Sequence, residues 1–205
     1  MSEFSFVSIG SHTGYWIENE IKKYIGKKIL LIEPVDYNFR QLKERFKNYS
    51  NIFFEQSAIS DKDETLSFYY IRESSISKLK KHWASGIGSF QKDHILNHYT
   101  KRFKVKEEDI DIKKVKCLSF TSIVKKYSIQ SIDKLFVDAE GSEFKILSSI
   151  NYNSTLIKEI FFEKKHLDGT FKQGENFEKL KKILITQKYV VKDIDKENCI
   201  AIKQI

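Results

Sequence analysis

The chain has 205 residues, with 36 basic against 28 acidic side chains, a formal charge of +8 and a pI near 9.2. Hydrophobic residues make up 40% and proline occurs once, a composition that excludes disordered and fibrous chains and predicts a single domain over 1–205. No apolar run approaches the roughly 18 residues of a spanning helix and no charged-then-apolar leader begins the chain, so the expected location is the cytoplasm.

The lysines cluster mildly at 78–81, 113–116 and 179–182. They read either as a solvated surface or as an attraction for something anionic, such as a phosphorylated sugar, a lipid headgroup or nucleic acid. Cys117 and Cys199 stand far apart in apolar-alternating segments, which predicts small buried thiols rather than a disulfide or metal framework.

In chain order, "FSFVSIG" predicts a buried strand ending at Gly10, followed by a helix with Ile17, Ile21, Tyr24 and Ile25 at helical spacing and Gly26 behind it. "KKILLIEP" predicts a second buried strand ending on Glu33. Asp36 can cap the next helix, whose inner face is Phe39, Leu42, Phe46 and Tyr49. "NIFFEQSAI" predicts a third strand. Strand and helix alternating at these intervals imply right-handed crossovers and a parallel sheet.

From about 61 to 120 the rhythm changes. "ETLSFYYI" alternates like an antiparallel strand, the stretch to Tyr99 has no clean period, and "KVKCLSF" predicts another short strand. An inserted hairpin and loop of this length predicts a functional, acceptor-side segment. Its Trp83, Phe90 and Tyr99 can stack on a sugar face, and His82, His94 and His98 can supply hydrogen bonds. "DKLFVDAEGSEFKILSSI" restores strand and helix with Ser142 as cap. "IKEIFFEKKH" predicts a strand, and a helix with Phe177, Leu180 and Leu184 leads to a terminal antiparallel hairpin.

The first glycine turn, "GSHTG", is not a dinucleotide or triphosphate loop. His12 occupies the slot where a pyrophosphate needs glycine, and no Lys-Ser or Lys-Thr follows Gly14. Glu33 lies at the end of the neighbouring strand, where a carboxylate can accept ribose hydroxyls. A nucleoside without pyrophosphate, held by a bend and an acid, predicts S-adenosylmethionine as cofactor.

"FVSIGSHTGYW", "LIEPVDYNFRQLKERF", "NIFFEQSAISDKDETLSFY", the segment containing "DAEGSE", and "IKEIFFEKKHL" follow in order the pattern of the FkbM-type methyltransferases, which the chain resembles over about 4–167. The resemblance implies a class I methyltransferase, Rossmann-like doubly wound sheet, mostly parallel with a C-terminal antiparallel hairpin. It implies O-methylation of a hydroxyl on a sugar, glycan or related small molecule. Gly10, Ser11, His12 and Gly14 would line the methionine end, Glu33 would take the ribose, and Ser57 and Ala58 would lie against the adenine. Asp138, Glu140 and Glu143 match the Asp-x-Glu-Gly-x-Glu signature. Ser8 stands where the family usually has an aspartate, and the chain begins without the helix many relatives fold over the cofactor.

Asp138 is the first candidate for the base or for holding the methionine ammonium, with His166 and Glu140 behind it. Trp83, His94 and His98 are candidate acceptor contacts. Asp138, Glu140 and Glu163 could bind a divalent ion, but no spacing demands one, and no metal is expected. Two rival readings are a nucleic-acid methyltransferase, which the positive charge favours, and an inactive binding module of the same fold. The absent Pro-Pro-aromatic motif speaks against base-amine transfer and leaves RNA ribose methylation, for which no Lys-Asp-Lys-Glu set can be assigned. Nucleic acid is not the expected partner, and a homo-oligomer is left open.

Overall fold

A computed structural model describes residues 2–81, 83–98 and 104–204. The elements run β1 (Ser2–Ile9), α1 (Glu18–Lys22), β2 (Ile29–Ile32), α2 (Asp36–Arg45), β3 (Ile52–Glu55), β4 (Ala58–Ser60), β5 (Glu64–Ile71), α3 (Glu73–Leu79), α4 (Lys92–Leu96), β6 (Ile110–Ser119), α5 (Phe120–Lys126), β7 (Ile129–Val137), α6 (Glu143–Ser148), β8 (Leu156–Glu163), α7 (Glu175–Thr186), β9 (Tyr189–Asp193) and β10 (Asn198–Lys203).

Seven strands form one sheet in the order β3-β2-β1-β7-β8-β10-β9, parallel except where β10 runs antiparallel to β8 and β9. The sheet is covered on both faces, which is why β2 reads as an unbroken apolar run. Phe6, Ile29 and Leu31 pack toward Leu42 and Phe46 of the α2 segment on one face. Val7, Ile9, Leu30 and Ile32 belong to the larger core with Leu147, Leu180 and Leu184 on the other. Each helix buries only a stripe. In α2 these are Tyr37, Asn38 and Leu42, with Asp36 in the first turn and Lys43 and Arg45 in the last, matching the helix dipole.

The strand order reverses between β1 and β7, and the crevice beyond their carboxyl ends is where open α/β sheets bind ligands. Over this crevice lies a second sheet, β4-β6-β5, with α3 and α4 attached. It departs from the expectation for "NIFFEQSAI". That run is two strands in two sheets, broken at Gln56–Ser57, so that β4 leaves β3 and pairs with β6. "KVKCLSF" is likewise the end of a ten-residue strand, paired along its length with β5. Ser142 stands at the start of α6 but makes no side-chain cap. Among the described residues, no helix is long and apolar enough to cross a membrane.

Candidate active site

The first turn owes its glycines to packing. Gly10 has φ +79, and a Cβ there would lie 1.7 Å from the Asp138 carbonyl oxygen, because the ends of β1 and β7 meet at that point. The Asp138 N–H also donates to the Ile9 carbonyl at 3.0 Å. Gly14 has φ +75, and a Cβ there would lie 2.4 Å from the Phe46 ring and 2.8 Å from Leu42. Gly14 is therefore set against the α2 segment, not against the crevice.

His12 adopts a left-handed φ of 50 without being glycine. Its ring swings away from the turn and places Nε2 2.7 Å from Ser85 Oγ in the overlying layer. Burial pushes its pKa down to about 4. The side chain that rules out a phosphate loop is thus used as a strut between the two layers.

Glu33, 5% exposed, is the hinge of this end. Its Oε2 accepts the His12 N–H at 2.9 Å and its Oε1 the Val35 N–H at 2.9 Å. The Asn38 side chain is a further donor to this carboxylate, and the acceptor capacity that remains can take a ribose hydroxyl. Burial raises its pKa to about 7 despite these donors.

A cavity of about 540 Å³ opens beside it, lined at this end by Gly10, His12, Glu33, Val35, Ser57, Ala58, Ile59, Phe68 and Ile87. The volume suits a ligand of cofactor size. The apolar slot by Ser57 and Ala58 fits a flat base, and Glu33 fits a ribose, so these residues match a bound adenosine.

Three expected cofactor contacts lie elsewhere. Ser8 is fully buried in the sheet, on the same side as Phe6, and its Oγ has no partner. The Ser11 hydroxyl donates to the Ser8 carbonyl at 3.2 Å and accepts the Ile32 N–H at 3.1 Å, stitching β1 to β2. With Gly14, these residues shape the turn from behind and do not line the cavity.

The opposite end is acidic. Asp138, Glu140, Glu163 and Glu197 line it, with Lys165 as the cation. Lys165 is already engaged, 2.5 Å from Glu163 and 3.3 Å from Glu197. Burial, reinforced by Glu140, raises the Asp138 pKa to about 7, and burial likewise raises Glu140. Glu143 turns inward as a brace. Its oxygens accept the Ala139 N–H at 2.6 Å and the Gly141 N–H at 3.0 Å, fixing the "DAEG" bend.

Glu140 has φ 48, a conformation that costs energy without glycine. It directs Oε2 to 2.9 Å from His94 Nε2, and to 3.7 Å from both His98 Nε2 and His166 Nε2. His98 and Trp83 line the cavity, together with Phe90, Trp16 and Phe171. His94 stands behind His98, ring centroids 4.6 Å apart.

His166, 1% exposed, is set back from the cavity, and its Nδ1 accepts the Phe171 N–H at 2.9 Å. Neutral and bonded in this way, it carries its proton on Nε2 and is placed to donate, not to take a proton. Burial drives its pKa far down. His82 and Tyr99 lie outside the described residues. Lys78, Lys80 and Lys81 are not among the cavity-lining residues, and Lys78 pairs with Asp109 at 2.9 Å.

Sequence reasoning missed Lys165, Glu197, Phe171 and Trp16. Glu197 reaches the site through the β8–β10 register, in which Asn198 faces Glu163. No local pattern carries that information.

A reversed strand order, an acid at the end of β2 and an acidic bend after β7 define a class I S-adenosylmethionine-dependent methyltransferase. The FkbM methyltransferase domain matches residues 8–191, and the chain belongs to that family. Its cofactor is S-adenosylmethionine. Among solved structures, the chain is similar to the fibrillarin pre-rRNA processing protein of Methanococcus jannaschii, at 12% identity and TM-score 0.51 over 98% of this chain and 67% of that one. A fibrillarin/Nop5p complex is comparable, at 12% and 0.50 over 99% and 73%. The fibrillarin of Aeropyrum pernix with natively bound S-adenosyl-L-methionine gives 13% and 0.49 over 98% of this chain and 66% of that one. These identities speak for the fold alone. No curated sequence matches the chain significantly.

Proposed function

We propose that this enzyme methylates a hydroxyl oxygen of an uncharged sugar or related polyol, with Asp138 as the proton acceptor. The observation that carries the reading is the position of Asp138. It stands where β1 and β7 meet, on the cavity wall between the Glu33 end and the ring of Trp83, His98 and Phe171. When bound, S-adenosylmethionine supplies an electrophilic methyl on sulfur. Glu33 and the slot beside Ser57 and Ala58 hold its adenosine, and Gly10 and His12 shape the passage toward Asp138.

The chain's own work is to orient and to remove a proton. The Trp83 and Phe171 faces seat a sugar ring, and one hydroxyl proton passes to the Asp138 carboxylate as the oxygen acquires its new carbon. Alignment of this kind supplies on the order of 7–11 kcal/mol and a positioned base about 10²–10⁴-fold. His94 acts from behind through its 2.9 Å hydrogen bond to Glu140, and the His166 ring packs against those of His94 and His98.

Charge supports an uncharged acceptor. Lys165 is the one cation lining the cavity among the described residues and is already paired with Glu163. Burial raises the pKa of Glu33, Asp138, Glu140 and Glu163, so the lining offers carboxyls, part of them neutral, and no spare cation. A lining with no unpaired cation gives phosphate nothing to pair with, which also weighs against an RNA acceptor despite the basic total. The buried free thiols Cys117 and Cys199 suit a reducing compartment, and we place the enzyme in the cytoplasm.

The test is methyl transfer from labelled S-adenosylmethionine to parallel panels of neutral sugars, sugar phosphates and RNA. Label in a neutral sugar supports the reading. Label confined to phosphates or RNA overturns it. Binding of S-adenosylhomocysteine with no turnover on any panel identifies the inactive module.

A further inference from the structure

Three histidines and one carboxylate converge beside the cavity although they come from three separate parts of the chain. One ligand-capable atom from each of His94, His98, Glu140 and His166 lies within 4.8 Å of all the others. We propose that His94 Nε2, His98 Nε2 and Glu140 Oε2 form a binding site for a divalent transition ion of the zinc, cobalt and iron(II) class. His166 Nε2–H would serve as donor to the ligating carboxylate or to a metal-bound oxygen.

The hydrogen bonds fix the tautomers of His98 and His166 and leave that of His94 free to adapt. The His98 Nδ1 lies 2.8 Å from the His94 carbonyl, which can only accept, so Nδ1 carries the proton and Nε2 a free lone pair. A ring nitrogen anchored on a backbone carbonyl while the other faces a metal is the usual arrangement of a histidine ligand. His94 Nε2 lies 2.9 Å from Glu140 Oε2 and Nδ1 3.0 Å from the Thr170 hydroxyl, which can donate or accept, so an ion displacing the Nε2 proton leaves Nδ1–H bonded to Thr170 and Nε2 free to ligate.

His166 has the reverse tautomer. Its Nδ1 accepts the Phe171 amide, and Nε2–H is buried with no partner. An orphaned donor 3.7 Å from Glu140 Oε2 is costly in a bare hydrogen-bonded cluster. An ion-bound water or carboxylate provides what it lacks.

Distances agree with ligation. Bonds of about 2.0–2.2 Å place neighbouring ligand atoms about 3–3.5 Å apart, and Glu140 Oε2 lies 2.9 Å from His94 Nε2 and 3.7 Å from His98 Nε2. Two imidazoles and one carboxylate are the donor set of borderline divalent ions, whereas magnesium prefers oxygen alone. His98 and Glu140 both line the cavity, so the ion's remaining positions would face it. An acceptor hydroxyl bound there would lose its proton more readily. That use rests on the transfer reading above, whereas ion binding does not.

The experiment strips the full-length protein with chelator and titrates Co²⁺ without cofactor or acceptor, following visible absorption and calorimetry. One equivalent should bind with a d–d spectrum of nitrogen and oxygen ligation. Losing the side chain that hydrogen-bonds and orients a ligating histidine weakens such sites about 10–100-fold. Thr170→Val should therefore weaken binding by that amount, and His98→Gln and Glu140→Gln by more than about 100-fold. Circular dichroism and the urea midpoint in chelator check the fold of each variant. Thr170, on a loop, keeps the comparison open if a buried variant fails to fold.

Wild-type protein with no tight Co²⁺ site overturns the proposal. So does Co²⁺ binding unchanged in folded variants. Because neither methyl transfer nor cofactor enters this titration, its failure leaves the transfer reading standing, and the converse also holds.

Discussion

Gly10→Ala tests whether the first turn is dictated by backbone meeting backbone. The variant must place a Cβ at φ +79, which costs an alanine about 1–2 kcal/mol. It must also move the Asp138 carbonyl, 1.7 Å from the new carbon, and that carbonyl is held by the strand it ends. Such overpacking adds about 1–3 kcal/mol, for a total of about 2–5 kcal/mol. At this chain length each kcal/mol lowers Tm by about 2–4 °C, giving a loss of about 4–20 °C.

Gly26→Ala is the internal control. Its φ is +89, but nothing lies within 4 Å of the added carbon. It carries the backbone cost alone, partly offset by about 0.4–1 kcal/mol of lost freedom in the unfolded chain, and the net of about 0–1.6 kcal/mol should lower Tm by about 0–6 °C. Thermal unfolding and S-adenosylhomocysteine binding of the two variants give the comparison. Gly10→Ala should be the less stable and should bind poorly because β1 and β7 are forced apart, while Gly26→Ala binds as wild type. Equal stability and equal binding would refute the reasoning.

Asp138→Asn should lower kcat by about 10²–10⁴-fold on whichever sugar is methylated while the protein stays folded, and a kcat within threefold of wild type removes Asp138 from the role of base. Glu33 titrates at about 7 in the folded protein against an ordinary 4.5, because burial favours its neutral form. A raised carboxyl pKa gives stability present in full below 4.5 and lost as pH climbs through 7. The wild type should therefore lose on the order of 3 kcal/mol more than Glu33→Gln between pH 4.5 and 8 in urea unfolding, and parallel pH profiles would contradict this. Trp83→Ala should raise the acceptor KM about 2–10-fold, the worth of one stacking face, with cofactor affinity unchanged; a shifted cofactor Kd would place Trp83 at the other end of the cavity.

Much of this architecture is legible in the chain itself, because parallel strands buried on both faces must be uniformly apolar and their crossovers must be short. β1, β2, β7 and β8 and the final hairpin follow from that. Glu33 is legible because an acid ending an apolar strand has few structural reasons to be there. The division of "NIFFEQSAI" is not, since Ile52–Glu55 and Ala58–Ser60 are each apolar enough for either sheet, and only the pairing of β4 with β6 separates them. Gly14 and Ser11 illustrate a different limit. Glycine spacing marks a bend but does not tell which side of it a ligand occupies. The gathering of His94, His98 and His166 depends on a short helix folding over the end of β8, a contact between residues 72 positions apart. Glu197 needs a strand register that no motif records.

The central claim is that Glu33 grips the ribose of S-adenosylmethionine, and calorimetry with S-adenosylhomocysteine on wild type and Glu33→Ala tests it most directly. Ribose hydrogen bonds to a buried, partly ionised carboxyl are worth about 3 kcal/mol together. The wild type should therefore bind one equivalent, and the variant should bind at least about 100-fold more weakly. A wild type that takes up no ligand, or a folded variant that binds equally well, would contradict the account.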